Sequence, residues 1–198
     1  MDTIQGMRMT DQELSAFLAT KGAAVVHLSH HAVMDPARPI WPEDMRRAIA
    51  KKDDFNLSCV VVWPGHRMPL PGSVGVIFKP TCANVVSASS SDSGSTMLPD
   101  GSDGSAGFPL SPETLASTFD VWNGTYNEWR VRGAEVVGIF VADPSNIEVK
   151  KDVVLNAGGH EFKDVAATSI TMGEVFAAFP HHSVFTMGPA GMIEIPRS

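Results

Sequence analysis

Residues 128–141 read Glu128-Trp129-Arg130-Val131-Arg132-Gly133-Ala134-Glu135-Val136-Val137-Gly138-Ile139-Phe140-Val141. Two short runs rich in β-branched and aromatic residues, 128–131 and 135–141, follow one another with no helical spacing between them. They predict consecutive strands, the second with apolar alternation. Working outward, the same pattern recurs. Ala23 to Leu28 reads as a buried strand. Leu57 to Trp63 and Ser73 to Phe78 read as two strands joined by a rigid turn through Pro64-Gly65 and Pro69-Leu70-Pro71-Gly72. Asn84 to Ala88 and Ile147 to Val149 add shorter strands, and Val184 to Met187 with Met192 to Ile195 form a closing hairpin around Gly188-Pro189-Ala190-Gly191.

Helices are fewer and announce themselves by their caps. Thr10 with Glu13 and Thr171 with Glu174 are capping boxes, the first helix ending at Lys21-Gly22 and the second at Pro180. Ser111-Pro112 opens another that runs to about Phe119. A further helix is expected near Pro42, where Glu43 and Asp44 precede Arg46, Arg47, Lys51 and Lys52 in the order the helix dipole favours. No βαβ alternation is sustained. The expectation is a single α+β domain over 1–198, with split, mostly antiparallel sheets and a few peripheral helices. Residues 87–107, dominated by Ser, Gly and Asp, predict a long flexible loop.

Bulk properties narrow the function classes. The chain has 198 residues, 43% of them hydrophobic, so a conventional core needs no staples. Its net charge of −7 weighs against long-range capture of a polyanion, although a local basic groove is compatible with that average. The two cysteines, Cys59 and Cys82, lie in or beside apolar runs and read as buried thiols of a reducing compartment, with a structural disulfide as the alternative. Residues 1–6 lack the basic and apolar segments of a signal peptide, and no apolar run reaches the length of a membrane span. A cytoplasmic protein is expected, or one delivered into a target cell by a non-classical route, with no membrane partner.

The nucleotide-phosphate motifs G-x-G-x-x-G and G-x-x-x-x-G-K-[ST] do not occur, nor do C-x-x-C, H-E-x-x-H or a G-x-S-x-G elbow. Asp92-Ser93-Gly94-Ser95-Thr96 has the letters of an aspartic protease signature, but three serines precede the Asp where anchoring apolar residues belong. The seven histidines are scattered, and no metal site is expected. What stands out is a strand, Val25-Val26-His27-Leu28-Ser29, with an imidazole and a hydroxyl two residues apart and so on one face. With it goes Tyr126-Asn127-Glu128-Trp129, which places a carboxylate at the start of a later strand.

Those two pieces resemble the ADP-ribosyltransferase superfamily, particularly toxin-like members related to the DarT-type enzymes of nucleic acids. His27-Leu28-Ser29 is similar to the family's H-x-T or H-x-S strand. Glu128 with Val131, then Val137 to Val141, is similar to its late Glu-led strand; the likeness spans roughly residues 23 to 150. The resemblance implies a cleft that binds NAD as substrate without a Gly-rich loop. It implies Glu128 as the catalytic carboxylate, with Glu135 as its rival. It also implies His27, Ser29, Tyr126 and Asn127 around the NAD, with Trp129 a second aromatic for stacking. Trp122 to Tyr126 would recognise a macromolecular acceptor, protein or nucleic acid. The family's middle motif is not recognisable, and Ser87, Ser89 or Ser90 would stand in for it. The expected function is NAD-dependent ADP-ribosyl transfer by a toxin or effector. The alternatives are a non-catalytic inhibitor or adaptor that binds a protein, and a His-dependent hydrolase.

Overall fold

A computed structural model describes residues 9–28, 49–50, 56–67, 69–90, 109–120, 127–157 and 160–197, with the side chains of 150–166 left out. Among the described residues, ten strands and three helices run in the order α1 (Asp11–Thr20), β1 (Ala24–Leu28), β2 (Leu57–Val62), β3 (Val74–Lys79), β4 (Val85–Ser89), α2 (Pro112–Ser117), β5 (Glu128–Val131), β6 (Glu135–Val141), β7 (Ile147–Ala157), β8 (His160–Ile170), α3 (Met172–Ala178), β9 (Val184–Gly188) and β10 (Gly191–Glu194).

All three helices begin with a reciprocal cap, in which the hydroxyl of Thr10, Ser111 or Thr171 accepts from the backbone N–H three residues on. That satisfies donors which a helix start otherwise leaves open. The helices then bury Leu14 and Leu18, Leu115, and Val175 and Ala178 in one core, against one face of a sheet.

That sheet has eight strands in the order β10-β9-β6-β3-β1-β2-β5-β4. All its pairs are antiparallel except β6 with β9. Strand alternation sorts its side chains onto two faces. Val25, Cys59, Val61, Val76, Ala88, Trp129, Val131 and Ile139 join the helices in the main core. Val26, Leu28, Val60, Val62, Ile77 and Phe140 form a second cluster on the other face, with Phe185, Met187 and Met192 packed on it. The α+β architecture, mostly antiparallel with peripheral helices, is as the sequence led one to expect.

The split lies at β2. Its residues 60–62 pair with β1, and its residues 57–59 pair with β5. Beyond Val26 and Val60 the first two strands part, while β1 continues beside β3 as far as Leu28 opposite Gly75.

Several expectations need correction. The two strands expected on either side of the Pro-rich connection are present as β2 and β3, but they are not neighbours, because β1 runs between them. Ser87, Ala88 and Ser89 belong to β4, so the Ser-rich loop cannot begin at 87. Ala88 is buried opposite Trp129, and such cross-strand burial outweighs the weak β-propensity of serine and alanine. Ile147 opens a strand that extends past the expected Val149 to Ala157, and His160-Glu161 starts its partner β8. The two pair over their full length as a separate two-stranded sheet. The expected helix near Pro42 and most of the Ser-rich segment lie outside the described residues.

Candidate functional site

Strand β5 begins where two buried polar side chains meet. Asn127 is fully buried, and its carboxamide accepts from the backbone N–H of Val61 at 2.6 Å through Oδ1. Its Nδ2 donates to the carbonyl of the same Val61 at 2.9 Å. Cys59 pairs with Trp129 in the β2–β5 ladder, so position 127 is the one that falls opposite Val61. A side-chain amide has a peptide's donor and acceptor, and here it extends the ladder by one step in place of the backbone.

Glu128 follows, 6% exposed, as the first residue of β5. Alternation turns it away from the Trp129 core and onto the face of Val60 and Val26. Ser89 of β4 stands directly across from it, and Ser87 stands across from Arg130, the next residue of β5 on that face. Three polar kinds of side chain, a carboxylate, a guanidinium and two hydroxyls, are thus gathered on one face of β4 and β5. Arg130 is a member that the sequence reading passed over. The strand period of two, applied from Glu128, is the signal that finds it.

Trp129 is fully buried on the other face, and its indole Nε1–H donates to Thr118 Oγ1 at 2.9 Å. The structure therefore gives its aromatic surface to the core. Burial, and then the charge of Glu128, push the thiol of Cys59 well above its ordinary value.

His27 lies on β1 where that strand parts from β2. It is 6% exposed, and its Nδ1 sits 2.7 Å from the Ser58 carbonyl oxygen. A carbonyl only accepts, so Nδ1 carries the proton in this contact and the ring's tautomer follows. His27 pairs with Val76, a main-core residue, whereas Glu128 faces the other side of the sheet. The two lie two strands apart, roughly 10 Å across the sheet. The structure brings both to the split in β2 but does not turn them onto one face. Ser29, Tyr126 and the expected acceptor segment 122–126 lie outside the described residues, as do Ser91 to Thr96.

Glu135, the rival carboxylate, is 66% exposed at the start of β6 and pairs loosely with Lys79 at 3.9 Å. Cys59 is a buried free thiol, but Cys82 is only half-buried, against the expectation for both. Among the described residues no group of three or more His, Cys, Asp or Glu side chains is arranged to hold a metal ion, and no helix is long and apolar enough to cross a membrane. A groove of about 540 Å³ opens at the far end of β1, between α1 and residues such as Lys79, Val137, Phe185 and Met192. Neither Glu128 nor His27 lines it. In comparisons with family models, curated proteins and solved structures, the chain finds no match in any of the three.

Proposed function

We propose that the chain is an NAD-dependent ADP-ribosyltransferase acting on a macromolecular acceptor, protein or nucleic acid, with Glu128 as its catalytic carboxylate. One observation carries the reading. A carboxylate is buried at the first position of β5, on one face with Ser87, Ser89 and Arg130, where β2 changes partners. Among the described residues the other side chains of the sheet at such burial are apolar, Ser87, His27 and the adjoining Asn127 aside.

Such a group suits the cleavage of NAD. As the bond between nicotinamide and ribose breaks, its electron pair leaves with neutral nicotinamide, and positive charge builds on the ribose C1′ and ring oxygen. A carboxylate fixed in a water-poor site stabilises that charge more strongly than the same group does in water. The acceptor then attacks C1′, and its proton passes to Glu128 or to solvent. Arg130, two residues along the same face, suits the pyrophosphate. His27, on the opposite face of the sheet from Glu128, and Ser29 are assigned to NAD by the family resemblance alone. Tyr126 and Asn127 border the catalytic carboxylate in sequence.

The test is direct. NAD should raise the melting temperature, and Glu128→Gln should abolish NAD hydrolysis while leaving the circular dichroism spectrum intact. If neither NAD nor a non-hydrolysable analogue shifts the melting curve, the transferase reading is wrong. A stable protein complex on pulldown would then favour a binding module.

A further inference from the structure

Glu128 is held from both sides by buried neighbours. On one side the Asn127 carboxamide makes two hydrogen bonds to the backbone of Val61, a residue 66 positions earlier. On the other, Trp129 is fixed by its bond to Thr118 and by the core around it. Both flanking side chains are fully buried. Consecutive strand residues point to opposite faces, so fixing 127 and 129 on one side leaves the carboxylate between them aimed at the other.

The Asn127 bonds do more than add stability. The amide group takes the place opposite Val61 and bonds both of its backbone groups. Glu128 is then the first residue whose backbone joins the strand. Aspartate in place of asparagine would keep the acceptor for Val61 N–H and lose the donor to its carbonyl. Leucine would lose both. Among side chains of this size, only the carboxamide matches both backbone groups.

We propose that Asn127 is a positioning residue for Glu128. It sets the carboxylate's place by pinning the start of β5 to Val61, and it does not contact NAD. The inference rests on the transferase reading. It departs from the sequence-based expectation that Asn127 binds the cofactor.

The experiment compares Asn127→Ala and Asn127→Asp with the full-length parent in steady-state NAD hydrolysis, alongside hydrogen exchange at the Val61 amide. Thr171→Ala, which loses a helix cap far from the site, controls for loss of stability alone. The expected result is a fall in kcat of tenfold or more for Asn127→Ala, with KM for NAD within twofold of the parent. Asn127→Asp should fall between the two. Val61 should lose exchange protection in Asn127→Ala, and Thr171→Ala should keep the parental kcat. A raised KM with unchanged kcat would overturn the proposal in favour of direct NAD contact. So would unchanged values of both constants, or an equal loss of kcat in Thr171→Ala. If Asn127→Ala does not fold, Asn127→Asp supplies the same kcat-against-KM reading; if neither folds, the residue is a folding determinant and the proposal fails. A parent with no NAD turnover refutes the transferase reading instead. The pin to Val61 then stands or falls on the exchange measurement.

Discussion

The indole Nε1–H of Trp129 and the hydroxyl of Thr118 meet at 2.9 Å, both residues fully buried, and so join β5 to the end of α2. The threonine hydroxyl also donates to the carbonyl of Thr114 one helical turn back. Thr118→Val keeps the shape and removes the acceptor, leaving an indole N–H without a partner in the core. The expected cost is about 1–3 kcal/mol by chemical denaturation. Thr118→Ser, which retains the oxygen, should lose less. Equal losses from the two substitutions would mean that packing of the methyl group, not the bond, matters here.

The two candidate carboxylates should separate cleanly in activity. Glu128→Gln should lower NAD hydrolysis by roughly a hundredfold or more, the scale on which removal of a buried transition-state contact acts. Glu135→Gln touches only an exposed, screened pair with Lys79 and should leave turnover and stability near the parental values. The reverse pattern would transfer the catalytic assignment to Glu135.

Gly75 sits in β3 opposite Leu28 on one side and Phe140 on the other. A Cβ there would lie 2.5 Å from the His27 carbonyl oxygen and 2.7 Å from Val26 Cγ1. Both belong to the central strand β1, which has little room to yield. Gly75→Ala should therefore destabilise the fold by about 1–3 kcal/mol, as overpacking does in a filled interior. A melting temperature unchanged within a degree would show that β1 and β3 are less tightly apposed.

Two histidines predict a weakening of the fold in mild acid. Burial holds the His66 imidazole below its ordinary value. Burial first, and then the charges of His181 and Arg197, do the same for His182. Among the described residues, His66 Nε2 and His182 Nδ1 are buried without a hydrogen-bond partner, so each ring is accommodated better neutral than charged. The unfolded chain then binds more protons than the folded one once the pH falls below the ordinary histidine value near 6.5. Stability is complete above that value and is lost as the pH drops toward the folded-state values. The melting temperature should fall between about pH 7 and pH 5.5, and His66→Gln with His182→Gln should flatten that slope. The exposed helix-cap carboxylates of Glu13, Glu113 and Glu174 are held below their ordinary value by hydrogen bonds. Their contribution is present above the ordinary carboxylate range and is lost at lower pH, outside this window.

The cysteines offer a chemical check on burial. Cys59 is enclosed in the core and its thiol is pushed up by burial and by Glu128. Cys82 is half-buried, with its thiol pushed up by burial and by the Asp11 carboxylate. A thiol reagent should modify Cys82 slowly in the native protein and Cys59 only after unfolding, read by mass spectrometry. Native-state modification of Cys59 would mean that the β2–β5 region opens readily.

Much of the fold was legible because its signals are local. The caps at Thr10, Ser111 and Thr171, and apolar runs such as Val74 to Phe78, depend only on near neighbours. The misses lay where partners are distant. The strand expected over Asn84 to Ala88 is there, but the loop drawn from Ser87 is not: the strand runs on to Ser89, where Trp129, far along the chain, covers Ala88. The β7–β8 pair was hidden because Lys150-Lys151-Asp152 breaks the apolar pattern, although Gly158-Gly159 between two extended runs is a hairpin signal in its own right. At the candidate site, Glu128 was conspicuous as a carboxylate leading a strand. That Asn127 turns inward to Val61, and that His27 and Glu128 face opposite sides of the sheet, depends on the register of β2 against both its neighbours, which no local pattern encodes.

The strand order also carries a history of assembly. β1 emerges first from the ribosome and ends at the centre; β2 and β3, next in the chain, take its two sides, and β5 and β6 then flank those. Among the described strands only β4 is made before the strand that covers it, so it must wait for β5. A sheet laid down from the middle outward keeps its first long-range contacts short in sequence. The same arrangement leaves β4 and β10 as the rims, where a fusion or inserted segment disturbs the fewest earlier pairings.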